Sequence, residues 1–487
     1  MPAKVKSILL NNKLLVVVFL ISFMLRFWGL GYSDFYGDET KTFYLDKTVP
    51  ASEFFLNQRK GPMQFFIVWG VEKVIGGHHE FWTRLPFFLA GSAAVVVFYY
   101  VVKELFSEKV ALVSTLLFGL NGFFIAFSKT IQYQSFLLLF GLQAVFFGIR
   151  YLKMKSKKAP FYAAASGVFI ALAYLSHWDA IFFDLVLTYI LIQKYLKNRK
   201  SLREMVIYFA LPAFIIVGIF YIPYIFGGYL ETHVQDYLAR RLIGSNFAHN
   251  LSWYTFWIYN PNVLWLFVSA FVLPYFFKKT QWQGHLVMIW FLSAFIAFEF
   301  WFSNPGTHIL NYVLPLTILA GMGIVSIYEW IQKRVFKNAY GICILFLLFS
   351  IFMVDIIVFG SDGYPWKSNK VDKKYHLFLY GFNYNRGWRQ IRDYFNKLDG
   401  VRGIWTNDND TIAEYYLREV DYTPPGSNFM PQYYVHVYNN QEFLPNNTQK
   451  FYDEFLVKYE LQEAFYVRDK MQSAVFKLAE IEEDSSL

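Results

Sequence analysis

Runs of about twenty apolar residues, each long enough to cross a bilayer as a helix, recur along this chain of 487 residues and leave few folds open to it. They lie at about 14–30, 83–103, 109–127, 131–149, 160–176, 180–196, 205–226, 254–274, 285–303, 311–332 and 339–359. With 56% hydrophobic and only 17% charged residues there is too little polar surface to wrap these runs in water. The pattern predicts a polytopic α-helical membrane protein of about eleven crossings. A further apolar piece, 63–75, is short for a crossing and ends in Glu72 and Lys73. With the charged stretch before it, it predicts interfacial helices over about 47–77.

The basic residues set the orientation. Lys4, Lys6 and Lys13 precede the first run and no small-residue cleavage pattern follows it, so that run is expected to stay as a first helix with a cytoplasmic N-terminus. From that start Lys103 and Lys109, Arg150 to Lys158, Lys194 to Arg203, Lys278 and Lys279, and Lys333 to Lys337 all fall inside. Counting 63–75 as a crossing puts these clusters outside, which argues against it. The net charge of +9 is thereby explained by topology, and nucleic-acid binding is not expected. The single cysteine, Cys343, lies in an apolar run and allows no intramolecular disulfide.

After Gly360 the apolar runs stop. The pattern predicts a helix at 387–398, a strand at 401–406, a helix at 411–419, a strand at 433–438, a helix at 448–459, and a hairpin of 463–468 with 474–479. Two domains are expected: a membrane domain over 1–359 and an extracytoplasmic α/β domain over 360–487, whose length of about 128 residues suffices for a core of its own.

Candidate chemistry collects at the outer face. Asp38 and Glu39 stand together just beyond the first run, where a carboxylate can deprotonate a water-soluble molecule while a lipid-borne partner stays in hydrocarbon. Asp179, Asp184, Glu299 and Asp355 lie on or beside helices near the same surface, a clustering that suggests a polar cleft. The outer loop over 227–252 offers Arg240 and Arg241 as planar forks for phosphate, and Glu231, His233 and Asp236 as weak ligands for a divalent metal. His177 and His308, at outer helix ends, read first as hydrogen-bonded structural groups.

Several passages, in order, carry a resemblance: Tyr36-Gly37-Asp38-Glu39; Arg59-Lys60-Gly61-Pro62-Met63-Gln64-Phe65-Phe66; Phe81-Trp82-Thr83-Arg84-Leu85-Pro86; Ala126-Phe127-Ser128-Lys129-Thr130-Ile131-Gln132-Tyr133; Ala173-Tyr174-Leu175-Ser176-His177-Trp178; and Asn311-Tyr312-Val313-Leu314-Pro315. Together they resemble the GT-C superfamily of membrane glycosyltransferases, in its protein O-mannosyltransferase and lipid A aminoarabinose transferase branch. Gln132 and Asn311 stand where that branch has arginines, and Arg59 where the aminoarabinose transferases have an acidic metal ligand. The resemblance implies inverting transfer of a sugar from a polyprenyl-phosphate donor to a glycan, lipid or protein acceptor on the outer face. Asp38 would be the base and Glu39 would shape the site, with Lys60, Arg84, Arg240 and Arg241 as phosphate partners. Gln132, Tyr133, His177, Asp179, Asn311 and Tyr312 would line the cleft. A divalent metal is the one cofactor left open. The competing reading is a transporter or flippase of lipid-linked sugars, against which the one-sided cluster of acids and the lack of an internal repeat both count.

Overall fold

Helices take up the apolar runs wherever the computed structural model describes the chain, over residues 13–58, 61–231, 282–302, 306–334, 385–422, 431–438, 457–467 and 469–479. In chain order they are α1 (Lys13–Phe27), a single turn α2 (Gly37–Thr40), α3 (Ala51–Leu56), α4 (Met63–Ile75), α5 (Glu80–Leu105), α6 (Glu108–Gly119), α7 (Gly122–Phe127), α8 (Gln134–Lys153), α9 (Ala159–Ser176), α10 (Ile181–Lys197), α11 (Ser201–Phe226), α12 (Trp282–Trp301) and α13 (Leu310–Arg334). Six of the described helices, α5, α8, α9, α11, α12 and α13, are long and apolar enough to cross a membrane. The protein is an integral membrane protein. The runs expected at 254–274 and 339–359 lie outside the described residues.

Burial separates the helices by place. α13 is almost wholly enclosed, packed on α6 and α12, whereas α11 leans on α9 and turns Phe214, Ile219 and Phe226 outward as a lipid-facing surface. At about 1.5 Å per residue, the 13 residues of α4 span roughly 20 Å, short of the hydrocarbon thickness. α4 stops where Gly76 turns left-handed at φ 81°, a conformation only glycine adopts without cost. The run expected at 109–127 is two helices: Asn121 accepts the Phe123 N–H at 2.9 Å and restarts the chain as α7.

The C-terminal part contributes helices α14 (Trp388–Phe395) and α15 (Asp410–Tyr416) and strands β1 (Arg402–Thr406), β2 (Asp421–Tyr422), β3 (Tyr433–Val437), β4 (Tyr459–Val467) and β5 (Lys470–Leu478). Sheet order is β2-β1-β3-β5-β4, with β1 parallel to β2 and β3 and the β4–β5 hairpin antiparallel. The helix expected at 448–459 falls largely outside the described residues. One expectation changes. The core beneath this sheet does not belong to the C-terminal part alone: Trp388, Ile391, Phe395, Ile404, Ile412 and Val435 share one buried cluster with Phe35, Phe43, Val68, Phe87 and Ile131 of the membrane part. Apolar burial therefore joins the sheet to the loop after α1, and that loop carries Asp38.

Candidate active site

The chain between α1 and α3 is held from three directions. From the membrane side comes Arg84 on α5, fully buried, whose Nε and Nη2 meet the two Glu39 carboxylate oxygens at 2.8 and 2.6 Å. The remaining Arg84 donors go to the carbonyls of Leu30, Ser33 and Asp34 and to the Ser33 hydroxyl. From the α7–α8 connection, the Ile131 N–H donates to Glu39 Oε1 at 2.9 Å. From the C-terminal part, the backbone N–H groups of Arg386 and Trp388 donate to Asp34 Oδ2 at 2.8 and 3.1 Å, so Asp34 caps α14 across 350 residues of sequence. Arg389 joins them at 3.3 Å from Asp34 and 2.6 Å from the Tyr32 carbonyl. Burial raises the Asp34 carboxyl above its ordinary range, with the Arg389 charge opposing.

What this scaffold presents is Asp38. Its side chain keeps 43% of its surface exposed, while Glu39 beside it has none. Tyr36 Oη donates to Asp38 Oδ2 at 3.0 Å, the Gln132 amide lies 3.5 Å from the same oxygen and contacts Tyr36 Oη, and Lys41 Nζ is 3.4 Å from Oδ1. Burial, then the Asp38 charge, holds the Tyr36 phenol well above its usual range, so it stays a donor. A carboxylate fixed on one face and open on the other has the form of a general base. Gly37 packs against α15: a Cβ there would lie 2.9 Å from Asn409 Oδ1 and 3.0 Å from Thr411 Oγ1.

A second polar centre lies one residue further along from Gln132. The Tyr133 ring stacks on His177, with centroids 3.7 Å apart, and its hydroxyl is 3.1 Å from His308 Nδ1. His177, at the end of α9, accepts the Asp179 N–H on Nδ1. Asp179 in turn meets His308 Nδ1 at 2.8 Å and accepts from Asn311 Nδ2 at 2.8 Å. Burial pushes the Asp179 carboxyl up, but the imidazoles of His308 and His177 more than offset this and hold it below its ordinary range. His177, Asp179 and His308 together have the donor set of a divalent-metal site.

The sequence of the membrane half matches the family of dolichyl-phosphate-mannose-protein mannosyltransferases over residues 59–224. Among solved structures, ArnT from Cupriavidus metallidurans bound to undecaprenyl phosphate is similar at 12% identity and a TM-score of 0.58, covering 95% of this chain and 97% of that one. Over residues 59–224 the chain is thus similar to the mannosyltransferase family, and over nearly its whole length its fold is the GT-C fold of ArnT. ArnT in the apo state is similar at 13% identity and a TM-score of 0.57, with the same coverage of both chains; at such identity the likeness is one of fold. The oligosaccharyltransferase of Archaeoglobus fulgidus reaches 12% identity and a TM-score of 0.49, over 87% of this chain and 60% of that one. No curated protein sequence matches the chain.

Within this GT-C fold the predicted site residues separate. Asp38 with Gln132, and Tyr133 with His177, Asp179 and Asn311, are brought together as described. Arg84 is corrected from phosphate partner to structural cation, because every guanidinium donor is spent inside the protein. Glu39, expected to shape the site beside Asp38, is the buried counter-ion of Arg84. Tyr312 donates to Glu299 at 2.5 Å, and Asp184 pairs with Tyr174. Glu231 is exposed. Lys60, His233, Asp236, Arg240, Arg241 and Asp355 lie outside the described residues.

Asp34, Tyr36 and Lys129 have roles that sequence reasoning missed. Lys129 donates to the Trp28 carbonyl at 2.5 Å, and burial beside Arg26 and Arg84 pushes its ammonium down to about 7. Its place in the Ala126 to Tyr133 passage was the one available signal.

Proposed function

We propose that this protein transfers a sugar from a polyprenyl-phosphate donor to a hydroxyl-bearing acceptor at the outer face of the membrane, with inversion at the anomeric carbon. The observation that carries the reading is Asp38: a half-exposed carboxylate beside Asp34 and Glu39, which are locked in a helix cap and an ion pair, within a GT-C fold that resembles ArnT over nearly its whole length. Asp38 takes the acceptor proton as the acceptor oxygen attacks the anomeric carbon, and the polyprenyl phosphate leaves with the bonding electron pair. The lipid chain stays in hydrocarbon throughout. Lys60, Arg240 and Arg241 are the phosphate partners in this scheme, since Arg84 has no donor to spare. The acidic loop and the C-terminal sheet face outside, and the N-terminus is cytoplasmic, as the positive-inside pattern requires.

Two experiments test this. A reporter that works only outside the cytoplasm is expected to be active when fused after Leu487 and silent when fused after Lys157; the opposite pair moves Asp38 to the wrong face. Mass analysis of cell-envelope glycans is expected to show a sugar missing from cells without the protein. The wild-type gene should restore it and Asp38→Asn, inserted at equal level, should not. Restoration by Asp38→Asn would overturn the mechanism.

A further inference from the structure

The centre at Asp179 gathers two imidazoles and a carboxylate within ligand distance of one another. The Asp179 N–H donates to His177 Nδ1 at 3.0 Å, which makes that nitrogen an acceptor. The same nitrogen lies 3.1 Å from Asp179 Oδ1, which is also an acceptor. A neutral imidazole nitrogen carries a single lone pair, and this one can pass from the Asp179 N–H to a metal ion. His308 Nδ1 spans the carboxylate, 3.0 Å from the same Oδ1 and 2.8 Å from Oδ2. All three donor atoms lie within 4.8 Å of one another, and all three residues are buried. A zinc ion bound at about 2.0–2.2 Å holds tetrahedral ligands roughly 3.3 Å apart, so the separations around Oδ1 need to open by only a few tenths of an ångström.

We propose that His177, Asp179 and His308 bind one divalent cation, with zinc favoured by two imidazole nitrogens and one carboxylate oxygen. Asn311 holds the outer shell: its amide donates to Asp179 Oδ2 at 2.8 Å and to the His308 carbonyl at 2.9 Å. The Tyr133 ring fixes the plane of His177 by stacking. Three protein ligands leave a fourth position for water or an anionic group. The site differs from the one expected at Glu231, His233 and Asp236. It stands independently of the sugar-transfer reading, because metal content is its measure.

Untagged full-length protein in detergent, stripped with EDTA, is titrated with zinc chloride by calorimetry and then loaded with cobalt(II). Wild type is expected to take up one zinc per chain and to show the visible bands of a cobalt(II) ion with nitrogen and oxygen ligands. His308→Gln and Asp179→Asn should lose at least about 100-fold in affinity, and Asn311→Ala on the order of 10-fold, as for an outer-shell partner. Absence of zinc uptake and cobalt bands in wild type overturns the proposal whatever the variants do. So does uptake of equal affinity in His308→Gln, which keeps the buried carboxylate and so avoids the folding burden of Asp179→Asn.

Discussion

The loop of Asp38 and the cluster of Asp179 treat a carboxylate in opposite ways. Asp38 leaves one face to solvent and is touched by a phenol, an amide and a lysine on the other. Asp179 is buried, with two imidazoles and an amide crowding it from all sides. Immediately beside Asp38, Glu39 repeats the second treatment against Arg84. The difference teaches that acidity in this region is not one property. Glu39 and Asp179 fix positions, and Asp38 keeps a face open.

The sharpest way to break this contrast is to neutralise the open acid. Asp38→Asn is expected to lower transfer by about 100- to 10,000-fold, the span for a lost general base, while thermal unfolding in detergent stays as in wild type. Near-normal turnover would place Asp38 among the inert surface acids. Removing the partner of an enclosed acid should do the reverse. Arg84→Met strands the Glu39 charge and is expected to cost about 3–5 kcal/mol of stability in denaturant titration, with much of that regained in the Arg84→Met, Glu39→Gln double variant. A smaller effect is expected at Asp34→Asn, which weakens the cap on α14 by about 1 kcal/mol. Hydrogen exchange should rise at residues 386–391 before it rises in α8.

The smallest effect is a pH dependence at the same junction. His78 stacks on Phe43, faces Glu72 at 3.4 Å, and has Arg418 and Lys47 nearby; burial pushes its imidazole down to about 4, with Glu72 opposing. The folded protein therefore binds fewer protons here than the unfolded chain, whose histidine titrates near 6.5. Stability from this group is full above about pH 6.5 and is lost as the pH falls towards 4. His78→Phe should flatten the stability profile in that window, and an unchanged profile would remove His78 from the account.

Much of this was legible in the sequence because it is local. Membrane helices announce themselves by length, and Asp38 by its distance from the end of the first apolar run. Strand alternation placed β1, β3 and the closing hairpin. What could not be read was the partner of each acid. Glu39 and Arg84 stand in separate motifs on paper, 45 positions apart and both suited to reactive roles, and only the fold cancels one against the other. His308 reads as a lone helix-end histidine until it meets Asp179, 129 positions away. The shared core under Phe35 is likewise a long-range fact, hidden by a change of composition at Gly360 that looks like a clean boundary.

The clasp between Asp34 and the start of α14 also fixes an order of events in time. The two sides are 352 positions apart, so at about 5–20 residues per second the ribosome delivers Arg386 roughly 20 to 70 s after Asp34. In that interval α1 and α5 can already insert and pair, yet the turn bearing Asp38 lacks the surface that seats Gly37. A nascent chain is therefore a membrane protein long before its Asp38 turn is seated, and synthesis that halts in the later helices leaves an inserted product with that loop unset.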